Sequence, residues 1–473
     1  MDNKVFTFEF LQRISDQIAR TLLKGRPDLE EARIAYMVRP GIDYPCVQWG
    51  IWKAGGIAVP LCELHPKENL IYYLKQSSAD VLIYSEEYFE MVKELTASIT
   101  IPFYEVQTLK VDGEFTKLPI IGINRRAMML YTSGTTNLPK GVVTTHANIS
   151  AQVNTLIDAW QWTKNDRILN VLPLHHVHGI INVMSCALAV GAQVSFLPKF
   201  SAAKIWEIIC EDCITVFMAV PTIYFKLIQY WEQQDSIEQE KMSIHSSKLR
   251  LMVSGSAALP VSTLEKWKAI TSHTLLERYG MTEIGMALSN SYEKERIPGH
   301  VGKPLPDVEI QLVENGEVKS NGPGEIQIKG PTVFKEYWNN PEATQSSFKD
   351  GWFLTGDRAV VNNGYYKILG RNSIDIIKSG GYKISALEIE EALRSHPDIN
   401  DCGVIGIPDE EWGERIGAAL VAEVLPEIEE LKRFLLKKLA PYQVPKTFIL
   451  IHDLPKNTMG KVTKKALLPF FNR

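Results

Sequence analysis

Tyr131-Thr132-Ser133-Gly134-Thr135-Thr136-Asn137-Leu138-Pro139-Lys140-Gly141 packs hydroxyls, two glycines and a lysine into one short segment. Glycine lets the backbone come close to an anion, Ser and Thr add hydroxyl donors to main-chain N–H groups, and Lys140 brings a point charge. These properties suit a loop that grips a polyphosphate. A Walker loop needs Gly directly before its lysine and Ser or Thr directly after, whereas Pro139 precedes Lys140 and Gly141 follows it. The β-branched run Val142-Val143-Thr144-Thr145 predicts a strand after the loop, and Met128-Met129-Leu130-Tyr131 one before it. A plain polar hairpin turn is the alternative reading.

Outward from this loop the chain alternates. Phe8 to Leu23 carries apolar residues at helical spacing, while Ile34–Val38 and Val81–Tyr84 read as buried strands. The same texture returns with helices over 203–210 and 259–270 and strands over 215–220 and 249–253, which predicts sheets covered by helices. Between about 300 and 370 it gives way to short strands punctuated by Glu314-Asn315-Gly316-Glu317, Asn321-Gly322-Pro323-Gly324 and Asn362-Asn363-Gly364-Tyr365. After Gly370-Arg371, helices over 386–394 and 427–439 and strands over 402–407 and 447–451 suffice for a compact domain. The fold class is therefore α/β. A large multi-sheet N-terminal domain (1–370), of helix-covered sheets plus a β-rich part, precedes a small α+β C-terminal domain (371–473).

The chain has 473 residues, 51 basic and 55 acidic, without long runs of either sign, so neither a nucleic-acid partner nor an anionic membrane surface is expected. The longest mainly apolar run, 179–192, is below the roughly 18 residues of a spanning helix. The first ten residues lack the patterns of a signal or transit peptide, which gives the expectation of a cytoplasmic protein. Of six cysteines only Cys210 and Cys213 are closely spaced, and they read as a buried helix-to-strand junction rather than a metal or redox pair.

Four further segments carry chemistry. Glu277-Arg278-Tyr279-Gly280-Met281-Thr282-Glu283 combines close backbone approach, an aromatic face and a carboxylate able to hold a divalent cation. Gly351-Trp352-Phe353-Leu354-Thr355-Gly356-Asp357 offers Asp357 to vicinal ribose hydroxyls. Gly370-Arg371, Asp375 and Lys378-Ser379-Gly380-Gly381-Tyr382-Lys383 place charges and glycines where a hinge would lie, with no single pivot identifiable. Pro455-Lys456-Asn457-Thr458-Met459-Gly460-Lys461 sets a lysine in a turn.

In this order and at these separations, the five segments resemble the adenylate-forming superfamily of acyl-CoA synthetases, luciferases and peptide-synthetase adenylation domains, over nearly the whole chain. The segments Leu172–Gly179, Phe217–Tyr224, Val253–Leu259 and Glu277–Glu283 most resemble the branch that ligates a short dicarboxylate such as malonate. The resemblance implies that a carboxylate attacks the α-phosphate of MgATP, pyrophosphate leaves, and the thiol of CoA displaces AMP. By position, Thr132, Ser133, Gly134, Thr135, Thr136 and Lys140 would grip the phosphates, Thr282 would meet the α-phosphate and Glu283 would hold Mg2+. Asp357 and Arg371 would hold the ribose. Gly255, Ser256, Tyr279 and Gly280 would wall the adenine and acyl group, with Met281 at the acyl pocket. Lys461 would be the catalytic lysine of the first step, carried on a mobile lid.

Arg278 stands where most relatives have an uncharged residue. A buried arginine needs a carboxylate partner, either the far end of a dicarboxylate substrate or an internal acid such as Glu277. Lys226 is expected as a second anchor and His176 at the acyl pocket, with His175 and His178 structural because no distant thiol or carboxylate ligand is identifiable for a metal. Asn137, where the family's loop usually has glycine, is compatible with a left-handed backbone. The expected partners are a small-molecule carboxylate, ATP and CoA. Methylmalonate use is compatible with this reading; rival readings are ligation of another short acid, charging of a carrier protein, or non-catalytic nucleotide sensing. No appended carrier domain is recognisable, and a sensor would not need Lys461.

Overall fold

The computed structural model describes residues 4–111, 117–132, 138–320, 322–456 and 461–471. Four sheets organise them. The first runs Glu336–Tyr337, Lys140–Thr145, Arg126–Thr132, Ile57–Pro60, Arg33–Met37, Val81–Tyr84, Phe103–Glu105, and its inner strands pair in parallel. Those inner strands are continuous apolar runs because helices cover both faces. The second sheet runs Lys303–Pro304, Gly285–Ser289, Leu276–Met281, Leu251–Ser254, Val216–Ala219, Arg167–Asn170, Gln193–Phe196. One core joins the two, since Tyr36, Met128 and Val142 of the first share it with Ile168, Met218 and Val253 of the second.

The helix Phe8–Leu23 forms over the residues its periodicity predicts, capped by Thr7, whose hydroxyl accepts from the Phe10 amide at 3.1 Å. It packs tightly on Asp43–Lys53, where a Cβ on Gly50 would stand 2.6 Å from Ile18 Cγ2.

The third sheet is the β-rich part, Glu309–Glu314, Glu317–Lys319, Gly324–Lys329, Phe348–Lys349, Trp352–Asn362 and Tyr365–Arg371. Two of its hairpins turn where Asn-Gly pairs predict. Asn315 and Gly316 have φ of 53° and 83°, and Asn363 and Gly364 of 51° and 79°, the paired positive angles of a type I′ turn. The fourth sheet holds Ile376–Ser379, Tyr382–Ser385, Asp401–Asp409, Gly413–Val421 and Thr447–Leu450 around its own core. Cys210 and Cys213 do sit at a helix-to-strand junction, but Cys213 is exposed rather than buried, because the turn after Cys210 swings outward before Val216.

Asp375, between the third and fourth sheets, is a junction of contacts. Its carboxylate accepts from the Arg371 amide at 3.0 Å, its amide donates back to the Arg371 carbonyl at 2.8 Å, and its carbonyl accepts from Ala386 at 2.8 Å. The buried Lys464 ammonium lies 2.7 Å from Asp375 Oδ1 and 2.8 Å from Glu390 Oε1. Removing that cation strands two carboxylates in a low-dielectric region, so Lys464→Met should cost about 3 kcal/mol of stability. Calorimetry of the full chain should show an earlier melting transition. An unchanged transition would mean that Arg394, 3.5 Å from Glu390, balances the site alone.

Candidate active site

The strand Leu276–Met281 sends alternate side chains to opposite faces, and this separates Glu277 from Arg278. Glu277 is buried, accepts from the Gly299 amide at 2.9 Å, and is pushed up to about 8 by burial, so it is neutral at pH 7. Arg278, 3% exposed, turns the other way and donates from Nη2 to Ser256 Oγ at 3.3 Å. Its Nε has no partner and no carboxylate pairs with it among the described residues. Burial pushes it down to about 9, which still leaves it cationic at neutrality. The internal Glu277–Arg278 ion pair is thereby excluded.

The backbone makes room for this guanidinium. A Cβ on Gly255 would fall 2.5 Å from Arg278 Cζ, and Ser256 takes a left-handed φ of 71° that aims its hydroxyl between Arg278 and His178. His178 Nδ1 lies 3.3 Å from Ser256 Oγ, and burial followed by the Arg278 charge holds the imidazole well below its ordinary range. His178 is thus the histidine in contact with the Arg278 cluster. Only the direction of its ring, set by the π-helical turn His178–Ser185 and by Asn170, which donates to Gly179 O at 3.1 Å, distinguishes it from His176. Nothing local in the sequence reports that direction.

A second group forms where the strands Trp352–Asn362 and Tyr365–Arg371 meet the second sheet. Asp357 accepts from Arg371 Nε at 2.7 Å and from Tyr279 Oη at 2.7 Å, which orients the tyrosine as a wall and leaves carboxylate lone pairs for diol hydroxyls. Gly280 sits at a bulge against Gly285–Ser289, where a Cβ would be 2.1 Å from Gly285 O. Beyond the strand end, half-buried Thr282 precedes buried Glu283, which accepts from Tyr337 Oη at 3.0 Å. Burial pushes the Glu283 carboxyl up, and no basic side chain forms an ion pair with it among the described residues. A hard dication would relieve that cost, so the residue fits Mg2+. Lys140 pairs with Thr132 across the hairpin and places its ammonium 4.8 Å from the centre of the ring of Tyr337, whose hydroxyl meets Glu283. Ser133, Gly134, Thr135, Thr136 and Asn137 lie outside the described residues.

Lys461 is solvent-accessible yet faces this cleft, close enough to feel Arg371, Arg278, Asp357 and Asp375. Desolvation by the surrounding walls and then the two arginines lower its pKa; its accessibility to water moderates the effect. It also acts on His176, pushed to about 4 chiefly by burial. Met281 packs on the core beside the strand end. Lys226 departs from expectation. It is exposed on the helix Pro221–Glu232, with its ammonium 5.2 Å from the Phe200 ring centre, because Tyr224, Leu227 and Ile228 take the buried face of that helix. No contact joins Lys226 to Arg278 among the described residues.

The family model described as AMP-binding enzyme matches residues 1–338, and that described as AMP-binding enzyme C-terminal domain matches 388–461. The chain is 44% identical to malonate–CoA ligase ACSF3, mitochondrial, of Mus musculus, over 93% of this chain and 82% of that one. MatB from Rhodopseudomonas palustris with ATP bound superposes with a TM-score of 0.90 at 31% identity, covering 98% of this chain and 93% of that one. The apo form of the same protein gives 0.79 at 31% identity. The o-succinylbenzoate CoA synthetase of Bacillus subtilis in complex with ATP and magnesium gives 0.85 at 27% identity, covering 98% and 95%. The expectation of a cytoplasmic protein is overturned, since the mouse relative and its counterparts from Bos taurus, Homo sapiens and Xenopus laevis are mitochondrial. Compartment is decoded by receptors from targeting signals, so the folded domain's charge and apolar pattern do not report it.

Glu277 gives the site a pH signature. Its folded pKa of about 8 exceeds the ordinary 4.5, so between those values the folded state holds a proton that the unfolded state releases, and stability falls as pH rises. Denaturation of the wild type at pH 5 and pH 8 should therefore show a loss of a few kcal/mol that Glu277→Gln removes, whereas equal slopes would mean that Glu277 is ionised.

Proposed function

The chain belongs to the AMP-binding enzyme family of adenylate-forming enzymes, and from that premise we infer an AMP-forming acid–thiol ligase that converts malonate, CoA and MgATP to malonyl-CoA, AMP and pyrophosphate. The observation that carries the choice of acid is the buried Arg278 without a carboxylate partner among the described residues. An unpaired guanidinium at such a site calls for an anionic ligand, and the distal carboxylate of malonate supplies one. Ser256 and neutral His178 complete the anchor.

With that end fixed, the other carboxylate attacks the α-phosphorus of ATP, a new C–O–P linkage forms, and the bond to the pyrophosphate leaving group breaks. Both reactants are anions, so the barrier falls through positioned cations and donors rather than through proton transfer. We assign Lys461 to the developing charge at the α-phosphate, Thr282 as its hydroxyl donor, and Thr132, Lys140 and the 133–136 segment to the phosphates. Asp357 and Arg371 take the ribose. Tyr279, Gly280, Gly255 and Ser256 wall the adenine and acyl group. Glu283 would hold Mg2+, which supplies charge neutralisation on the polyphosphate. In the second step the CoA sulfur attacks the acyl carbon, AMP leaves with the electron pair of the C–O bond, and the thiol proton is released.

We place the division between a catalytic domain, 1–370, and a lid, 371–473. Arg371 ends the last strand of the third sheet and Ile376 begins the fourth, so the four residues between them carry the lid that brings Lys461 in for the first step and withdraws it for the second.

Two variants test the assignments. Arg278→Leu should lower kcat/KM for malonate by about 100-fold or more, the cost of removing one partner of a buried charge pair, with far less effect on the KM for ATP. Unchanged malonate turnover would dismiss Arg278 as the anchor. Lys461→Ala should abolish malonate-dependent pyrophosphate release while preserving thioester formation from added malonyl-adenylate, and equal loss in both half-reactions would overturn the two-position lid.

A further inference from the structure

Cys62, His65 and His175 lie outside the reacting groups described above, yet their ligand atoms all fall within 4.8 Å of one another. The first two come from the turn that follows the strand Ile57–Pro60 in the first sheet. His65 N donates to Cys62 O at 3.1 Å, which folds the Cys-x-x-His segment back on itself and sets sulfur and imidazole side by side. His175 reaches them from the loop after Arg167–Asn170 in the second sheet, with its ring 5.5 Å from that of His65. This is the pairing of distant segments that sequence spacing alone could not supply.

The groups are set up as donors. His65 Nδ1 and His175 Nε2 are buried and have no hydrogen-bond partner among the described residues. An unpartnered buried ring nitrogen is a cost, and two imidazoles that each carry one meet a thiol in one small volume, which indicates a missing acceptor of lone pairs. Burial lowers both imidazoles, so they are neutral and able to coordinate. Burial pushes the Cys62 thiol up, so without a metal it stays protonated. His65 and His175 are only partly buried, whereas Cys62 is 2% exposed.

We propose that Cys62, His65 and His175 form a site for a borderline-soft divalent cation, Zn2+ above all, that ties the loops of the first two sheets together beside the cleft. One sulfur and two nitrogens satisfy three positions of a tetrahedron and leave the fourth for water; the Cys62 proton is released as the metal–sulfur bond forms. Hard cations such as Mg2+ prefer oxygen and do not compete for such a set. The site is therefore separate from the magnesium position at Glu283. His176, whose ring stands 4.1 Å from that of His175, connects it to the side of the cleft that Lys461 faces.

Cobalt is the probe. Reduced full-length protein, stripped with chelator and titrated with Co2+, should bind one ion per chain with a thiolate-to-cobalt charge-transfer band and tetrahedral visible bands, both erased by stoichiometric Zn2+. Cys62→Ser should lose the charge-transfer band, and His65→Gln and His175→Gln should each weaken Zn2+ binding about tenfold or more. The band should survive in Cys213→Ser, whose cysteine is exposed elsewhere. Absence of a thiolate band in the wild type, its persistence in Cys62→Ser, or its loss in Cys213→Ser would each overturn the proposal. Should Cys62→Ser fail to fold, the two histidine variants decide it: unchanged Zn2+ affinity in both rejects the site.

Discussion

Folding buries the Arg278 guanidinium and provides it with a hydroxyl but, among the described residues, no counterion. Much of the surrounding architecture follows from that single constraint. Glycine at 255 leaves space against the guanidinium carbon, Glu277 is turned to the other face of its strand and kept protonated, and His178 is held neutral by burial and then by the charge beside it. A cation kept dry and unpaired costs stability, and natural sites accept such costs where a ligand restores the balance. The same positions that weaken the fold leave one buried positive charge to be balanced.

A second set of charges couples the two domains. Asp357 holds Arg371, Arg371 shares backbone hydrogen bonds with Asp375, and Asp375 pairs with the buried Lys464, which also meets Glu390. The chain of contacts runs from Asp357 in the cleft to the interior of the small domain through the four-residue connection. The connection between the large and the small domain is therefore held by a charge cluster, and Gly370, with φ of 117° and Asp375 Cβ only 2.3 Å from where its own Cβ would stand, keeps that turn tight.

Local pattern carried most of the fold. The period of Phe8–Leu23, the apolar strands at Arg33–Met37 and Val81–Tyr84, and the Asn-Gly turns are each decided by a few neighbouring residues, and the structure follows them closely. The site was legible where its motifs are contiguous, as at Glu277–Glu283, and obscure where geometry depends on distant segments. His176 and His178 are equivalent in one dimension; a π-helical turn decides which one meets Ser256. Lys226 is expected as an anchor from the resemblance alone, but its helix needs Tyr224, Leu227 and Ile228 inside and so turns the lysine out. The companions of His175 come from a turn more than a hundred residues earlier, and no spacing rule reaches that far.

Gly255 also constrains how such a pocket can change over evolutionary time. Because a Cβ there would collide with Arg278 at 2.5 Å, positions 255 and 278 are sterically coupled, and neither can be altered as though the other were absent. The atoms such a Cβ would meet are the far end of a flexible side chain, so a larger residue at 255 is accommodated by displacing the guanidinium from its place 3.3 Å from the Ser256 hydroxyl. A change at 255 therefore shifts where the charge sits without touching the arginine itself.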